Sequence, residues 1–292
     1  MFVFKAAVVG AGVMGGEIAQ VIAAADIPVV LKDVEASFVD KGLEKAAEVT
    51  RADAARLVSR GKATQEDADA QVERTLKLIT GTTSYDEFGD VDFVIEAVPE
   101  RLEIKHDVFA ELDASTPGHA ILASNTSGLS ITEIGDAVND DRRPRVVGFH
   151  FFWPASRMRL VEVIEGEDTA PETAQAAANF AQQIRKTPIR CGECPGFVVN
   201  RILTSMGSEI WRYQDESGVA VAELDEALKQ AGVFPMGPFQ LADMSGLDTA
   251  LKVARDLREA YGSERFYVHQ GMERLVAEGH LGAKSGKGFY EH

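Results

Sequence analysis

Val8-Val9-Gly10-Ala11-Gly12-Val13-Met14-Gly15-Gly16 is the stretch that decides the fold. The apolar run Phe2 to Val9 reads as a buried strand, and a helical run opens directly behind the glycines. In that context G-x-G-x-x-G has a physical logic. Gly10 permits a tight turn, Gly12 lets the backbone approach a pyrophosphate, and Gly15 lets the helix pack close to the strand. The helix, opening at Val13 and Met14, offers unpaired N–H groups and a positive dipole end to the phosphates. A second apolar run, Ile27 to Lys32, ends at Asp33, about 20 residues past the glycines, where a ribose diol sits. A tight turn without a ligand accounts for the glycines alone, not for strand, helix, second strand and acid together. Asp33 accepts hydrogen bonds from free 2′- and 3′-hydroxyls and repels a 2′-phosphate, so the cofactor reads as NAD rather than NADP.

A chain of 292 residues suggests two domains, and 45% hydrophobic residues supply a sizeable core. The net charge of −16 excludes the basic face that a nucleic-acid binder needs. It also repels anions at long range, so a phosphate-bearing substrate must be held by local donors. Nothing approaches the length of a membrane span. No signal peptide is read at the start, which gives a cytoplasmic expectation. Cys191 and Cys194 are too few for a disulfide framework and lack the second pair that zinc would want, so no metal is expected.

Beyond Asp33 the pattern turns helical. Glu35 to Ser59 and Gln65 to Leu78 read as a helical hairpin inserted in the nucleotide-binding fold. Its basic residues, Lys41, Lys45, Arg51, Arg56, Arg60 and Lys62, suit either an anionic tail or a solvated surface. Strands follow at Asp92 to Val98, Ala120 to Ser124 and Arg145 to Phe149, with a helix from Leu102 to Leu112. Strands alternating with helices predict a mostly parallel, Rossmann-type α/β sheet, whose ligands bind at the carboxyl ends of the strands. Gly10, Glu100, Asn125, Ser127 and His150 all fall at or just past such ends. Leu160 to Ile164 is apolar apart from Glu162, and a buried carboxylate needs a partner. If the loop from Phe151 to Arg159 returns the chain antiparallel, Glu162 faces His150. Pro171 to Lys186 reads as a helix and Thr187 to Cys191 as an edge strand. Val198 to Glu216, Val221 to Gln230 and Leu247 to Tyr261 are helical, interrupted at Pro235-Met236-Gly237-Pro238. The division is therefore a nucleotide-binding domain at 1–189 and an all-helical C-terminal domain at 190–292.

Ser127, His150, Glu162 and Asn200 form the candidate constellation. Oxidising a carbinol carbon requires removal of the hydroxyl proton as well as a hydride. Histidine, which titrates near neutral pH, suits that task. A carboxylate on its other ring nitrogen fixes the tautomer and steadies the imidazolium. Ser127 can bind the same substrate oxygen, and Asn200, opening the helical domain, a substrate carbonyl across an interdomain cleft.

On these residues the chain resembles the L-3-hydroxyacyl-CoA dehydrogenases, including the dehydrogenase part of bacterial fatty-oxidation multifunctional enzymes. The matching runs are Gly10 to Gly15, Glu96 to Glu100, Ser124 to Ser127, His150 to Phe152, Leu160 to Val163, Pro195 to Arg201, Pro235 to Pro238 and Lys284 to Tyr290, in family order. The resemblance implies (S)-3-hydroxyacyl-CoA oxidation with NAD, an acyl-CoA as substrate partner and a homodimer. It implies His150 as base, Glu162 as its partner, and Ser127 and Asn200 as substrate contacts. It places Glu100, Lys105, Ser127 and Lys284 near the cofactor, although by sequence alone Lys105 and Lys284 read as solvated lysines. One position departs: where the family commonly has His-Phe-Phe-Asn-Pro, this chain has Trp153. The indole either packs into the core or forms an apolar wall near the nicotinamide. Two other readings are a same-family dehydrogenase of another 3-hydroxy acid, of gulonate or carnitine type, and a non-catalytic, crystallin-like NAD-binding protein.

Overall fold

In a computed structural model describing residues 2–292, the glycine loop joins strand β1 (Ala6–Val9) to helix α1 (Val13–Ala23). Phe2 and Phe4, read as part of that strand, are exposed and precede it. After β2 (Val29–Lys32), α2 (Ala36–Ser59) and α3 (Gln65–Lys77) form the helical hairpin. Thr64 caps α3 by accepting from the Asp67 N–H while the Asp67 carboxylate accepts from the Thr64 N–H, a reciprocal capping box. The hairpin leads into a strand that the sequence did not reveal, β3 (Ile79–Thr82).

The rest of the sheet comprises β4 (Phe93–Glu96), β5 (Ile121–Ser124), β6 (Val146–Phe151), β7 (Leu160–Glu165) and β8 (Thr187–Gly192). Between them lie α4 (Leu102–Ser115), the short α5 (Ile131–Gly135) and α6 (Pro171–Gln183). The strand order is β3-β2-β1-β4-β5-β6-β7-β8. All neighbours are parallel except β6 and β7, whose return is antiparallel. β1, β2, β4 and β5 are buried at every position, as expected of parallel strands covered on both faces. On one face, Ile18 and Ile22 of α1 share a core with Phe149 of β6 and Phe180 of α6. The rings of Phe93 and Phe180 lie 4.5 Å apart at its centre.

The chain divides into two compact units, Met1–Cys194 and Pro195–His292. The boundary read at 189/190 falls inside β8. The second unit is helical: α7 (Val199–Ser217), α8 (Val221–Gln230), α9 (Pro238–Ser245), α10 (Leu247–Tyr261) and α11 (Gln270–Ala277). Trp211, Phe239, Leu247, Leu251 and Met272 form its core. Two buried aspartates organise it. Asp225 accepts from the Phe239 and Gln240 N–H groups, so the Pro-Met-Gly-Pro run opens a helix rather than only interrupting one. Asp243 accepts from the Phe289 and Tyr290 N–H groups, and Tyr290 Oη donates to Asp225. A methyl group on Gly288 would stand 2.2 Å from Asp243 Oδ1, which explains that glycine.

Candidate functional site

The parallel register aligns the carboxyl ends of the strands: Val9 pairs with Glu96, Glu96 with Ser124, and Ser124 with Gly148. Residues just beyond this level therefore share one edge of the sheet. Gly10 turns there with φ 103°, and a Cβ on it would lie 2.6 Å from the Ala97 carbonyl. A Cβ on Gly15 would lie 1.7 Å from the Gly10 carbonyl oxygen, whereas nothing stands within 4 Å of one on Gly12. Gly10 and Gly15 are thus required by packing, and Gly12 faces open space. Among the described residues no side chain caps α1, and its first turn carries no acid. Its N–H groups are left to an anionic ligand.

Asp33 sits beyond β2 and accepts from the Ala11 N–H at 2.6 Å and the Val34 N–H at 2.7 Å. It fixes the glycine loop while facing the same groove. That groove measures about 820 Å³; Gly10, Gly12, Val13, Met14, Asp33 and Val98 are among the residues that line it. The open face at Gly12, the uncapped helix and the carboxylate at the groove's edge fit a dinucleotide.

A buried network adjoins the groove. Glu96 and Lys105, 0% and 1% exposed, form an ion pair at 2.8 Å. Ser124 Oγ donates to Glu96 at 2.6 Å and the Val98 N–H at 2.7 Å. Burial pushes the Glu96 carboxyl up against the pull of Lys105. Lys105 also reaches Glu100 at 3.2 Å. Glu100 in turn accepts from Thr126 Oγ1 at 2.6 Å and the Ser127 N–H at 2.9 Å. Burial acts to raise Glu100, but the Lys105 charge and these hydrogen bonds together hold it below the usual carboxylate range. Lys105 is therefore not the solvated lysine that its place in a helix suggested. It fastens α4 to β4 and, through Glu100, to the Ser127 loop.

β6 and β7 bring the other pair together. His150 and Glu162 are directly opposite in the antiparallel register, and His150 Nδ1 lies 2.7 Å from Glu162 Oε2. Both are buried, with His150 5% exposed and Glu162 0%. His150 lies within β6 rather than after it. Asn125 Oδ1 accepts from the Phe151 N–H at 2.8 Å, tying the β5 loop to the end of β6. The Phe152 ring packs edge-on to the imidazole, with centroids 4.7 Å apart. Trp153 is 54% exposed, which excludes the core placement.

Asn200 and Lys284 belong to the helical unit. Asn200 lies in the first turn of α7 and lines a largely apolar cavity of about 160 Å³ with Leu203, Trp211 and Leu241. Lys284 is half exposed and pairs with Asp248 at the start of α10, at 2.5 Å. Among the described residues no group of three or more His, Cys, Asp or Glu could hold a metal ion, and no helix is long and apolar enough to cross a membrane.

Fold and groove define a class: a dinucleotide-binding protein of the dehydrogenase kind. Two families match the chain in sequence. One is the 3-hydroxyacyl-CoA dehydrogenase NAD binding domain, over residues 5–194, and the other the 3-hydroxyacyl-CoA dehydrogenase C-terminal domain, over residues 196–292. The chain is 40% identical over 289 residues to the fatty acid oxidation complex subunit alpha of Shewanella amazonensis, covering 99% of this chain and 39% of that protein. It is 39% identical over 292 residues to a probable 3-hydroxybutyryl-CoA dehydrogenase of Deinococcus radiodurans, covering 99% of this chain and all of that one (100%). Among solved structures, the (S)-3-hydroxybutyryl-CoA dehydrogenase of Ralstonia eutropha matches with a TM-score of 0.90 at 36% identity, over 100% and 99% of the two chains. The chain thus spans about two fifths of the complex subunit and the whole length of the other two. It belongs to the 3-hydroxyacyl-CoA dehydrogenase family and is an NAD-dependent dehydrogenase.

Proposed function

We propose that the chain oxidises (S)-3-hydroxyacyl-CoA to 3-oxoacyl-CoA, with His150 as general base and Glu162 as the group that orients it. The observation that carries this reading is the 2.7 Å contact between the two, at the edge of the sheet that carries the dinucleotide groove. With Nδ1–H donating to Glu162, Nε2 is the basic nitrogen and takes the proton of the substrate hydroxyl. The Glu162 carboxylate then faces the positive charge that develops on the ring. Ser127 holds the reacting oxygen, and Asn200 the thioester carbonyl. NAD, when bound, supplies the acceptor for the hydride. Glu100, Lys105 and Lys284 shape the cofactor site. The test is NADH formation with 3-hydroxybutyryl-CoA, longer acyl-CoA esters, free 3-hydroxybutyrate, gulonate and carnitine. Turnover of CoA esters supports the reading; turnover of free acids alone contradicts it. NAD binding without any turnover would leave a non-catalytic role.

Asp33 sets the cofactor. Asp33→Ser is expected to weaken NAD by about tenfold or more, since hydrogen bonds to charged groups are worth roughly 1.5–3 kcal/mol. NADP should weaken less, because the substitution also removes a repulsion. Equal use of NAD and NADP by the unmodified protein would contradict this role.

Trp153 sets the acyl chain. An exposed indole beyond His150 forms an apolar wall where the family commonly has an amide. The lost amide contact is worth about 1 kcal/mol, less than the effect of a steric clash with a long chain. The end-to-end relatives named for 3-hydroxybutyryl-CoA support a short substrate. Trp153→Asn is expected to raise kcat/KM on longer acyl-CoA esters relative to the four-carbon one. An unchanged ratio in a folded, NAD-binding variant would show that Trp153 does not set chain length. In the helical unit, Ile202, Leu203 and Met206 of α7 and Leu241 and Met244 of α9 are exposed, which supports a homodimer formed through that unit.

A further inference from the structure

Two buried charged groups outside the reaction hold the segment that joins β6 to β7. Lys186 Nζ donates to the carbonyl oxygens of Ala155 and, at 2.8 Å, of Met158. Glu17 of α1 accepts from the Ser156 N–H at 3.3 Å. Lys186 and Glu17 are both buried. The segment they fix carries Arg157 and Arg159, and the turn between α6 and β8 carries Arg185. These three arginines and Lys186 line one open cavity of about 170 Å³, together with Gln20 of α1 and Asp53 of α2.

The cavity gathers cations: three arginines and one lysine against a single lining carboxylate, Asp53. The chain has 46 acidic residues against 30 basic ones, so carboxylates are in excess. Arg143 pairs with Asp136 and Arg190 with Glu165. Among the described residues, no side chain pairs with the guanidinium of Arg157, Arg159 or Arg185. Asp53, the acid that shares their cavity, is engaged by Arg56 at 2.7 Å. Arg185 also adopts φ 62°, a left-handed backbone that favours glycine. Arg157, Arg159 and Arg185 are exposed, so their guanidinium groups stand open to solvent around the cavity, where an anionic ligand meets several like charges at once.

We propose that this cavity is a phosphate-binding subsite and, resting on the acyl-CoA reading above, that it takes the 3′-phosphate of CoA. Guanidinium groups match phosphate oxygens in a two-pronged geometry that a single ammonium lacks. A phosphate monoester carries close to two negative charges, which suits three arginines better than either singly charged unit of the diphosphate. The anchoring of the loop by Lys186 and Glu17 means that two of the three donors are presented on a fixed backbone, which lowers the ordering cost of binding. The site answers the requirement, set by the acidic surface, that a phosphate-bearing substrate be held by local donors.

The test is equilibrium binding of CoA, 3′-dephospho-CoA and inorganic phosphate to the full chain, by calorimetry and without turnover. Each Arg→Ala change among Arg157, Arg159 and Arg185 is expected to weaken CoA by about tenfold. The unmodified protein should prefer CoA over 3′-dephospho-CoA, and that preference should vanish in the triple variant. A triple Arg→Lys variant, which keeps the charges, should retain part of it. A triple alanine variant that keeps its CoA preference, as folded as the unmodified protein by thermal midpoint, overturns the subsite. Loss of inorganic phosphate binding with the CoA preference intact assigns the cavity to free phosphate and overturns the CoA assignment. Because binding is read without turnover, absent dehydrogenase activity would defeat the catalytic reading and leave the subsite standing.

Discussion

Replacing His150 with alanine is expected to lower kcat/KM on the acyl-CoA substrate by about 10²–10⁴-fold, the usual contribution of a positioned general base. NAD affinity should stay nearly unchanged, because the glycine loop and Asp33 lie on β1 and β2, away from β6. Glu162→Gln tests the partner. The amide keeps the shape and a hydrogen-bonding oxygen but removes the charge that supports the protonated ring. The two losses should be far from additive, since residues that act as a unit lose most of their effect with the first removal. The double variant should be about as slow as His150→Ala alone. Additive losses would separate Glu162 from His150 and break the proposed mechanism.

The second large effect is on stability. Lys105→Met leaves the Glu96 carboxylate, fully buried at the end of β4, without its counter-ion. Breaking one side of a buried pair costs about 3–5 kcal/mol, a large share of a typical domain's stability. The pH dependence has a definite sign. Burial already raises the Glu96 carboxyl above its unfolded value, and removing Lys105 raises it further. A carboxyl raised on folding binds its proton more tightly in the native state, so the variant's deficit is greatest near neutral pH. It should shrink as pH falls toward the unfolded carboxylate range. Adding Glu96→Gln should recover part of the loss at neutral pH. The measurement is denaturant unfolding of both variants at neutral and mildly acid pH. A deficit independent of pH would mean that Lys105 stabilises by packing alone.

The glycine loop and the place of Asp33 just beyond β2 were legible because they are set locally: a strand, a turn, a helix and a second strand within a few tens of residues. The facing of His150 and Glu162 was legible because a lone acid in an apolar strand has few ways to be satisfied, and an antiparallel return provides one. Other features are decided by partners far away in sequence. Lys105 resembles any helix lysine until β4 and α4 pack and Glu96 appears beside it. β3 has four residues, two of them exposed, and includes Gly81, whose missing side chain makes room for Val39 and Leu43 of α2. Neither its apolar pattern nor its length announces a strand. α9 was hidden by the Pro235-Met236-Gly237-Pro238 run: the helix starts at Pro238, and Asp225 of another helix accepts from its Phe239 and Gln240 N–H groups. The arginine cavity was equally unreadable, since Arg157, Arg159 and Arg185 become neighbours only when β7 and β8 pair.

The central claim is oxidation at carbon 3 of an acyl-CoA with hydride delivery to NAD. The most direct measurement follows a deuterium label from C3 of (S)-3-hydroxybutyryl-CoA by mass spectrometry. The account predicts that the label appears in the reduced nicotinamide cofactor and is absent from the 3-oxo product and from water. Label retained in the acyl product, or washed into solvent, would contradict it.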